Sequence, residues 1–549
     1  MNGKQLFTLA FFMKTIFPVD IVQTKGDVIN AEGLLYKKTL QARDYCPEAT
    51  VFNGKSEVLL DFGKEICGTL RLVGECASCI GTNVRITFGE SVSEALSEVE
   101  SSTATNDHSP RDFQARFTML SDVRYGQTGF RFVRIRFMEE GEQHRLIAAV
   151  AESSYFEKEQ VGAFSCGDAL VEKIYKTAAY TATLCLQNDM LWDGIKRDRL
   201  VWMGDVNPEL RTLYNLYPNI PNIKNSLLFM QEATPKGAWI NSIPAYSMWW
   251  IINIYDYYLY TRDLSVIRKT ARDIQDILKR INESFTEDGD ILFTGASDEG
   301  MAFYLDWPTY GDPEAKVGVI ALCKLAMRAA EKLLRLVKRG TALAASIYKR
   351  LPRCTARKFK QVVAMCMLVG DMSAEEGLPL LQAGGAEGFS TFQSYYILKA
   401  MARAGDRKGA LSCAKEYFGA MLSLGATTFW EDFDMAWAQN ACRIDRLPEE
   451  GKHDVHAEYG KHCYVGYRHS LCHGWAAGVL AFIAEELLGV EILEAGGKTV
   501  RITPNLCGLQ FMRGTVPTRY GEIIVRAWME GETQRVSVTA PDRVTVLYE

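Results

Sequence analysis

The run CGDALVEKIYKTAAYTATLCLQNDM, Cys166 to Met190, is where the chain changes character. Its apolar residues recur at helical spacing, as an amphipathic helix with one buried face requires. Asp168 follows a glycine, where its carboxylate can accept from free backbone N–H groups and cap a helix start. The spacing predicts a helix over Ala169–Met190. Upstream, VLLDFG (58–63), GTLRLVG (68–74), NVRITFGES (83–91), GFRFVRIRFME (129–139) and RLIAAVAES (145–153) alternate with a period of two between Gly, Asn and Asp. Short strands of that kind favour a β-sandwich or jelly roll. Downstream the helical period continues through ELRTLYNLY, SMWWIINIYDYYLYTRD, LSVIRKTARDIQDILKRINESF and EAKVGVIALCKLAMRAAEKLLRLVKRG. It persists to HSLCHGWAAGVLAFIAEELLG, about ten helices over about 320 residues. A solenoid would repeat its sequence at a fixed period; none is visible, so a closed α/α ring is preferred. After Gly489 strands return in TVRITP, LQFMRGTVPTRYGEIIVRAWME and QRVSVTAPDRVTVLYE. The expected layout is an N-terminal β-sandwich or jelly roll over 1–157, a helical barrel over 158–489, and a small C-terminal β-sandwich over 490–549.

Bulk properties narrow the function. The chain has 549 residues, too many for a single core, which stops growing near ~250–300. Net charge is −5 with no block of like charge, which argues against nucleic acid. No apolar run approaches the ~20 residues of a membrane span. The 14 cysteines are scattered. Cys76-Ala-Ser-Cys79 has no second pair to complete four zinc thiolates. Unpaired thiols suit a reducing compartment, so a cytoplasmic location is expected. Lys4 followed by Leu6–Met13 faintly resembles a signal peptide, but the run is short and no small-residue cleavage site follows. An N-terminal strand fits it better; a periplasmic or secreted protein freed of a signal peptide is the alternative.

The densest stretch is WDGIKRDRLVWMGD, Trp192 to Asp205. It begins at a helix end and runs through a loop, where sites are usually built. If Asp193, Asp198 and Asp205 converge with Arg197, repulsion, burial and the cation push their pKa values apart, the signature of acid/base work. A buried salt-bridge network joining helix ends is the plain alternative. GATTFWEDFD, Gly425 to Asp434, places Glu431 beside Trp430. Trp249 and Trp250 lie in WINSIPAYSMWW and are core or wall residues. Trp307, between Asp306 and Pro308, favours a cleft lining. Five of seven histidines fall between His453 and His473. No metal-binding spacing such as HExxH accompanies them, so no metal is expected. His473 can donate to a ligand hydroxyl, or cap a helix.

Together these motifs resemble the family 78 glycoside hydrolases, the α-L-rhamnosidases. DGIKRDRLVWMGD is similar to the family's D-x-x-x-R-[DE]-R-x-x-W-x-G-D, and GATTFWE to its G-A-T-T-x-W-E. The resemblance implies a six-hairpin (α/α)6 barrel between β-domains. It also implies inverting hydrolysis of terminal α-L-rhamnosides, with no metal or organic cofactor. Asp198 falls on the general acid and Glu431 on the general base. Asp193, Arg197 and Asp205 fall on sugar-binding and pKa-setting positions, Trp202 on the motif's aromatic, and His473 on a late histidine. Trp249 or Trp250, and Trp307, look like aromatic walls. Many relatives carry Glu at the acid position; Asp198 is a methylene shorter. The longer segment 432–468 is a candidate lid. Inverting chemistry needs carboxyls about 6.5–9.5 Å apart, one protonated and one ionised. Three readings compete with it: another α/α-barrel glycosidase, a uronate-acting enzyme, or a carbohydrate-binding relative without turnover.

Overall fold

The structure is a computed structural model describing residues 12–43, 46–76, 80–156, 158–462 and 464–548. Cys79 and most of the signal-like run lie outside the described residues. What can be seen of that run's end is a strand, Phe12–Ile16, paired antiparallel with Gln143–Tyr155.

The β-rich reading of the first part holds. Thr50–Cys76 is one long strand that pairs along its length with Ser121–Phe137. Its N-terminal part pairs with Asp20–Ile29 and its C-terminal part with Gln143–Tyr155. The register breaks between Asp61 and Ile66, so the sheet turns on itself. It closes over a core that includes Phe52, Leu60, Phe62, Phe88, Phe130 and Phe137.

The ring also holds, and its connectivity can be read from contacts. Among the described residues, Val206–Tyr214, Pro244–Thr261, Pro313–Leu336, Lys360–Leu368, Ser394–Arg403 and the segment Gly474–Leu487 touch one another in chain order. The last of them returns to the first. A second set alternates with these and packs outside: Ala169–Leu184, Pro221–Ala233, Leu264–Glu283, Ala342–Arg350, Ala374–Gln382 and Arg407–Ser423. This is an (α/α)6 barrel. Asp168 caps the first outer helix as expected, accepting from Leu170 and Val171 N–H groups. That helix is shorter than predicted. It stops at Leu184, and a hairpin pairs Leu186–Gln187 with Met190–Leu191. The turn is Asn188-Asp189, both at positive φ, the conformation that matches strand twist in tight hairpins. The last inner element is broken into 3₁₀, α and π turns. Its Gly474 is obligatory, because a Cβ there would lie 1.4 Å from Glu209 Oε1.

The C-terminal strands form two small sheets. Thr499–Ile502 lies between Val490–Ile492 and Thr545–Tyr548. Phe511–Thr518 pairs with Gly521–Glu530 and also with Ala163–Ser165, so the chain contributes a strand to this sheet before entering the barrel. No helix among the described residues is long and apolar enough to cross a membrane. Cys67, Cys185 and Cys472 are buried free thiols.

Candidate active site

The loops that enter the N-terminal ends of the inner helices carry the charged groups. Asp205 immediately precedes Val206–Tyr214, and His473 precedes Gly474–Gly478. Glu431 follows the outer helix Arg407–Ser423. Helix N-termini present free N–H groups and a positive dipole end, which suits a cluster of carboxylates.

Within the stretch 192–205, the chain folds back on itself. Asp193 N donates to Leu200 O, and Leu200 N donates to Asp193 Oδ1 at 2.9 Å. The turn between them puts Asp198 (φ 41°) and Arg199 (φ 57°) in the left-handed region, which non-glycine residues adopt only at a cost. Arg199 is tied down by a hydrogen bond to Gln127 O and by its guanidinium over Trp192. The result presents Arg197 inward. Its Nη1 donates to Asp198 Oδ1 at 2.8 Å, and its Nη2 donates to Glu431. One rigid planar guanidinium reaches both, so the two carboxyls share one cation. Residues 233 positions apart, 198 and 431, thus meet at one cation.

The rest of the cluster is layered around this pair. Trp202 Nε1 donates to Asp198 Oδ2 at 3.1 Å. Tyr246 Oη donates to Asp205 Oδ2 at 3.2 Å, and His473 Nε2 lies 3.0 Å from Asp205 Oδ1. The other ring nitrogen of His473 is 3.6 Å from Glu431 Oε1. Ser470 N donates to Glu431 Oε2 at 3.1 Å. Glu431, Asp193, Asp205 and His473 are buried, while the Asp198 side chain keeps 20% of its surface open.

Electrostatics separates these acids. Burial pushes Glu431 up, but Arg197, then His473 and His469, outweigh it and bring the carboxyl down to about 2. Burial raises Asp193 well above the usual carboxylate range, with Asp198 and Asp205 adding to it against His473. Asp205 is also raised by burial, against its bond to His473. His473 is lowered by burial, yet Glu431 and Asp205 raise it to about 9. Glu431 is thus held toward its ionised form, while burial pushes Asp193 and Asp205 the other way.

Trp307 is half-buried at the rim and donates from Nε1 to Tyr464 Oη at 2.8 Å. Tyr464 also covers the Arg197 guanidinium at 4.5 Å, and His462 stacks on Trp307. Part of the segment 432–468 thus lies over the cluster, where a lid was expected. Trp249 and Trp250 are not brought to the site. Trp250 is fully buried and donates to Leu227 O, and Trp249 packs on Tyr396. Trp249 also lines a cavity with Arg211, Lys399 and Glu485, beside the later turns of the inner helices. The resemblance implies Trp249 or Trp250 as a wall, but a place on a helix does not say at which level of the barrel a residue sits.

Other groups were missed by sequence reasoning. Asp306 is buried and pushed up to about 7 by burial, against its bond from Ser390. Glu209 lies buried behind Gly474, raised well above its usual range by burial and by Cys185 and Asp205. His108, from the N-terminal domain, approaches Asp198 Oδ1 at 3.4 Å. Only Asp306 had a local signal, its place before Trp307. Of the two histidines that invited a metal reading, His453 pairs with exposed Glu458. His456 joins Glu90 and Glu94, with ligand atoms within 4.8 Å of one another. The Lys196 ammonium lies 2.9 Å from Glu90 and 3.1 Å from Glu94, so this cluster already contains a cation.

Two acidic groups joined by an arginine thus lie at one end of an (α/α)6 barrel. Residues 159–345 match the family described as the bacterial alpha-L-rhamnosidase 6 hairpin glycosidase domain. Among solved structures, the fold is shared with a family 78 rhamnosidase of Bacillus sp. GL1: TM-score 0.72, 19% identity, 94% of this chain and 55% of that one. It is shared with the Streptomyces avermitilis alpha-L-rhamnosidase complexed with L-rhamnose: TM-score 0.69, 14% identity, 97% and 50%. It is shared also with a Klebsiella oxytoca rhamnosidase with rhamnose bound: TM-score 0.65, 16% identity, 86% and 96%. The chain therefore spans about half the length of the first two and nearly all of the third. No curated protein sequence matches it.

Proposed function

We propose that the protein is an inverting glycoside hydrolase that releases terminal, non-reducing α-L-rhamnose. The observation that carries this is the Arg197 bridge, which holds Asp198 and Glu431 in one buried, aromatic-walled cluster. An inverting pair stands about 6.5–9.5 Å apart with a water in reach of the base, and carboxyls held on separate nitrogens of one guanidinium allow such a spacing. Glu431, held ionised by Arg197, takes the role of general base that activates this water. Asp198, the more open of the two, takes the role of general acid and protonates the leaving oxygen. Asp193, Asp205 and His473 supply hydrogen-bond partners for sugar hydroxyls. Trp202, Trp307 and Tyr464 supply the apolar faces that the ring and its 6-methyl group need. The substrate is a rhamnoside or a rhamnose-containing glycan; no nucleic acid or membrane partner enters the reading.

A second assignment of the acid has its own support: burial pushes the Asp193 carboxyl well up, toward its protonated form. The two are separated by leaving-group dependence. Asp198→Asn and Glu431→Gln should each lower kcat on an alkyl α-L-rhamnoside by roughly 10²–10⁴-fold. On an activated aryl α-L-rhamnoside, whose leaving group needs no proton, Asp198→Asn should lose much less. If Asp193→Asn shows that pattern instead, the acid role moves to Asp193. The product anomer, followed by NMR, tests inversion directly. Absence of turnover on every α-L-rhamnoside, with L-rhamnose still bound, would leave a binding protein.

A further inference from the structure

Both halves of the site lead back to one residue outside the barrel. Glu90 directly follows the strand Thr82–Gly89 of the N-terminal domain, and it is buried. Its Oε2 accepts from Leu471 N at 2.5 Å and pairs with Lys196 Nζ at 2.9 Å. Its Oε1 accepts from Ser470 Oγ at 3.1 Å. Lys196 is the residue before Arg197. Its ammonium is further held by Glu94, by Tyr467 O at 2.9 Å and by His469 O at 2.6 Å. Ser470 is the residue that grips Glu431: Glu431 N donates to Ser470 O, and Ser470 N donates to Glu431 Oε2. One carboxylate thus ties the loop presenting Arg197 and Asp198 to the segment that grips Glu431. Lys196 spends three N–H groups on these anchors, and with its stem buried it cannot turn away. Neighbouring charges complete the setting: Glu94, Arg111 and His456 on one side, Glu65 on the other.

We propose that Glu90 is a positioning residue that sets the spacing of Asp198 and Glu431, so that the N-terminal β-domain is part of the catalytic unit. A domain serving only as a binding module needs no buried carboxylate aimed at the far side of the reacting groups. A carboxylate serving only stability has no reason to bond both the loop that carries Asp198 and the segment that grips Glu431. The inference rests on the hydrolase reading for its kinetic test but not for its structural one.

The test uses the full chain with Glu90→Gln and the double variant Glu90→Gln/Lys196→Met. Removing one member of a buried pair destabilises strongly, whereas replacing both can be close to neutral. Thermal unfolding should therefore show the double variant recovering stability lost in Glu90→Gln. If Glu90 only stabilises, kcat recovers with it. Positioning predicts instead that kcat on an aryl α-L-rhamnoside stays down on the order of 10²-fold in the double variant, the effect of a displacement near 1 Å. L-rhamnose affinity, read by calorimetry, should change less than about threefold, since the sugar-binding carboxyls are untouched. A double variant that is stable and turns over within threefold of wild type overturns the inference. Should the wild type itself turn over no α-L-rhamnoside, the hydrolase reading fails alone. Crystal structures of the same variants then decide: Arg197 still joining Asp198 to Glu431 refutes positioning, and a broken bridge supports it.

Discussion

Replacing Arg197 with methionine removes the cation while keeping much of its stem volume, and the consequence for Glu431 can be worked out. The carboxyl stands at about 2 instead of 4.5, worth about 3 kcal/mol in favour of the charged form. Burial works in the opposite direction, so Arg197, His473 and His469 together supply more than that, with Arg197 first among them. Without it, His473 and His469 remain as favourable neighbours, but burial is less opposed and the carboxyl moves up. A carboxyl with a lowered folded pKa supports the ionised state above its unfolded value and loses it as pH falls through the folded one. In wild type that loss lies near pH 2. In Arg197→Met it moves up in pH. The assay is kcat/KM on an aryl α-L-rhamnoside between pH 3.5 and 8, relative to each protein's own plateau and with folding checked by circular dichroism. Within this range the profile of the variant should fall on its acid side while that of wild type stays flat. If it coincides with that of wild type, either Arg197 does not control the ionisation of Glu431 or Glu431 is not the base.

Two further outcomes follow from the same geometry. His473 is raised to about 9, so its contribution to stability is complete below pH 6.5 and is lost as pH rises toward 9; denaturant unfolding should show a decline of a few kcal/mol over that window in wild type, absent in His473→Gln. Trp250→Ala should cost about 3–5 kcal/mol as a core truncation while molecules that fold keep their KM. Trp307→Ala should do the reverse, raising KM several-fold with little loss of stability, and an unchanged KM would remove Trp307 from the site.

What could be read in advance follows the range of the interactions. The outer helices show period and caps because both are local, as Asp168 and its two N–H donors illustrate. The helix Ala374–Gln382 opens on a capping box formed by Ser373 and Glu376, while Pro379 inside it disguises the helical pattern. The last inner element reads as one helix but is broken, because Gly474 and Gly478 serve close packing against Glu209 and Tyr395. In the site, DGIKRDRLVWMGD and GATTFWE announce their residues because several functional groups fall within one turn of chain. Trp249 and Trp250 are core residues, as tryptophans on helices usually are, and the resemblance that implies one of them as a wall does not specify a level in the barrel. His108 and Glu90 could not be found at all. They reach Asp198 and Leu471 across 90 and 381 positions respectively, and no local pattern records such a contact.

The two consecutive left-handed residues at Asp198 and Arg199 have a consequence for how this loop tolerates change. Such a backbone admits Gly, Asn and Asp readily and rejects β-branched side chains. A shorter acid at 198 is therefore the residue that suits the bend, whereas a longer one would have to bring its own relaxation of the main chain. Codon randomisation at these two positions should return a narrow repertoire, filtered by torsion before chemistry is ever consulted.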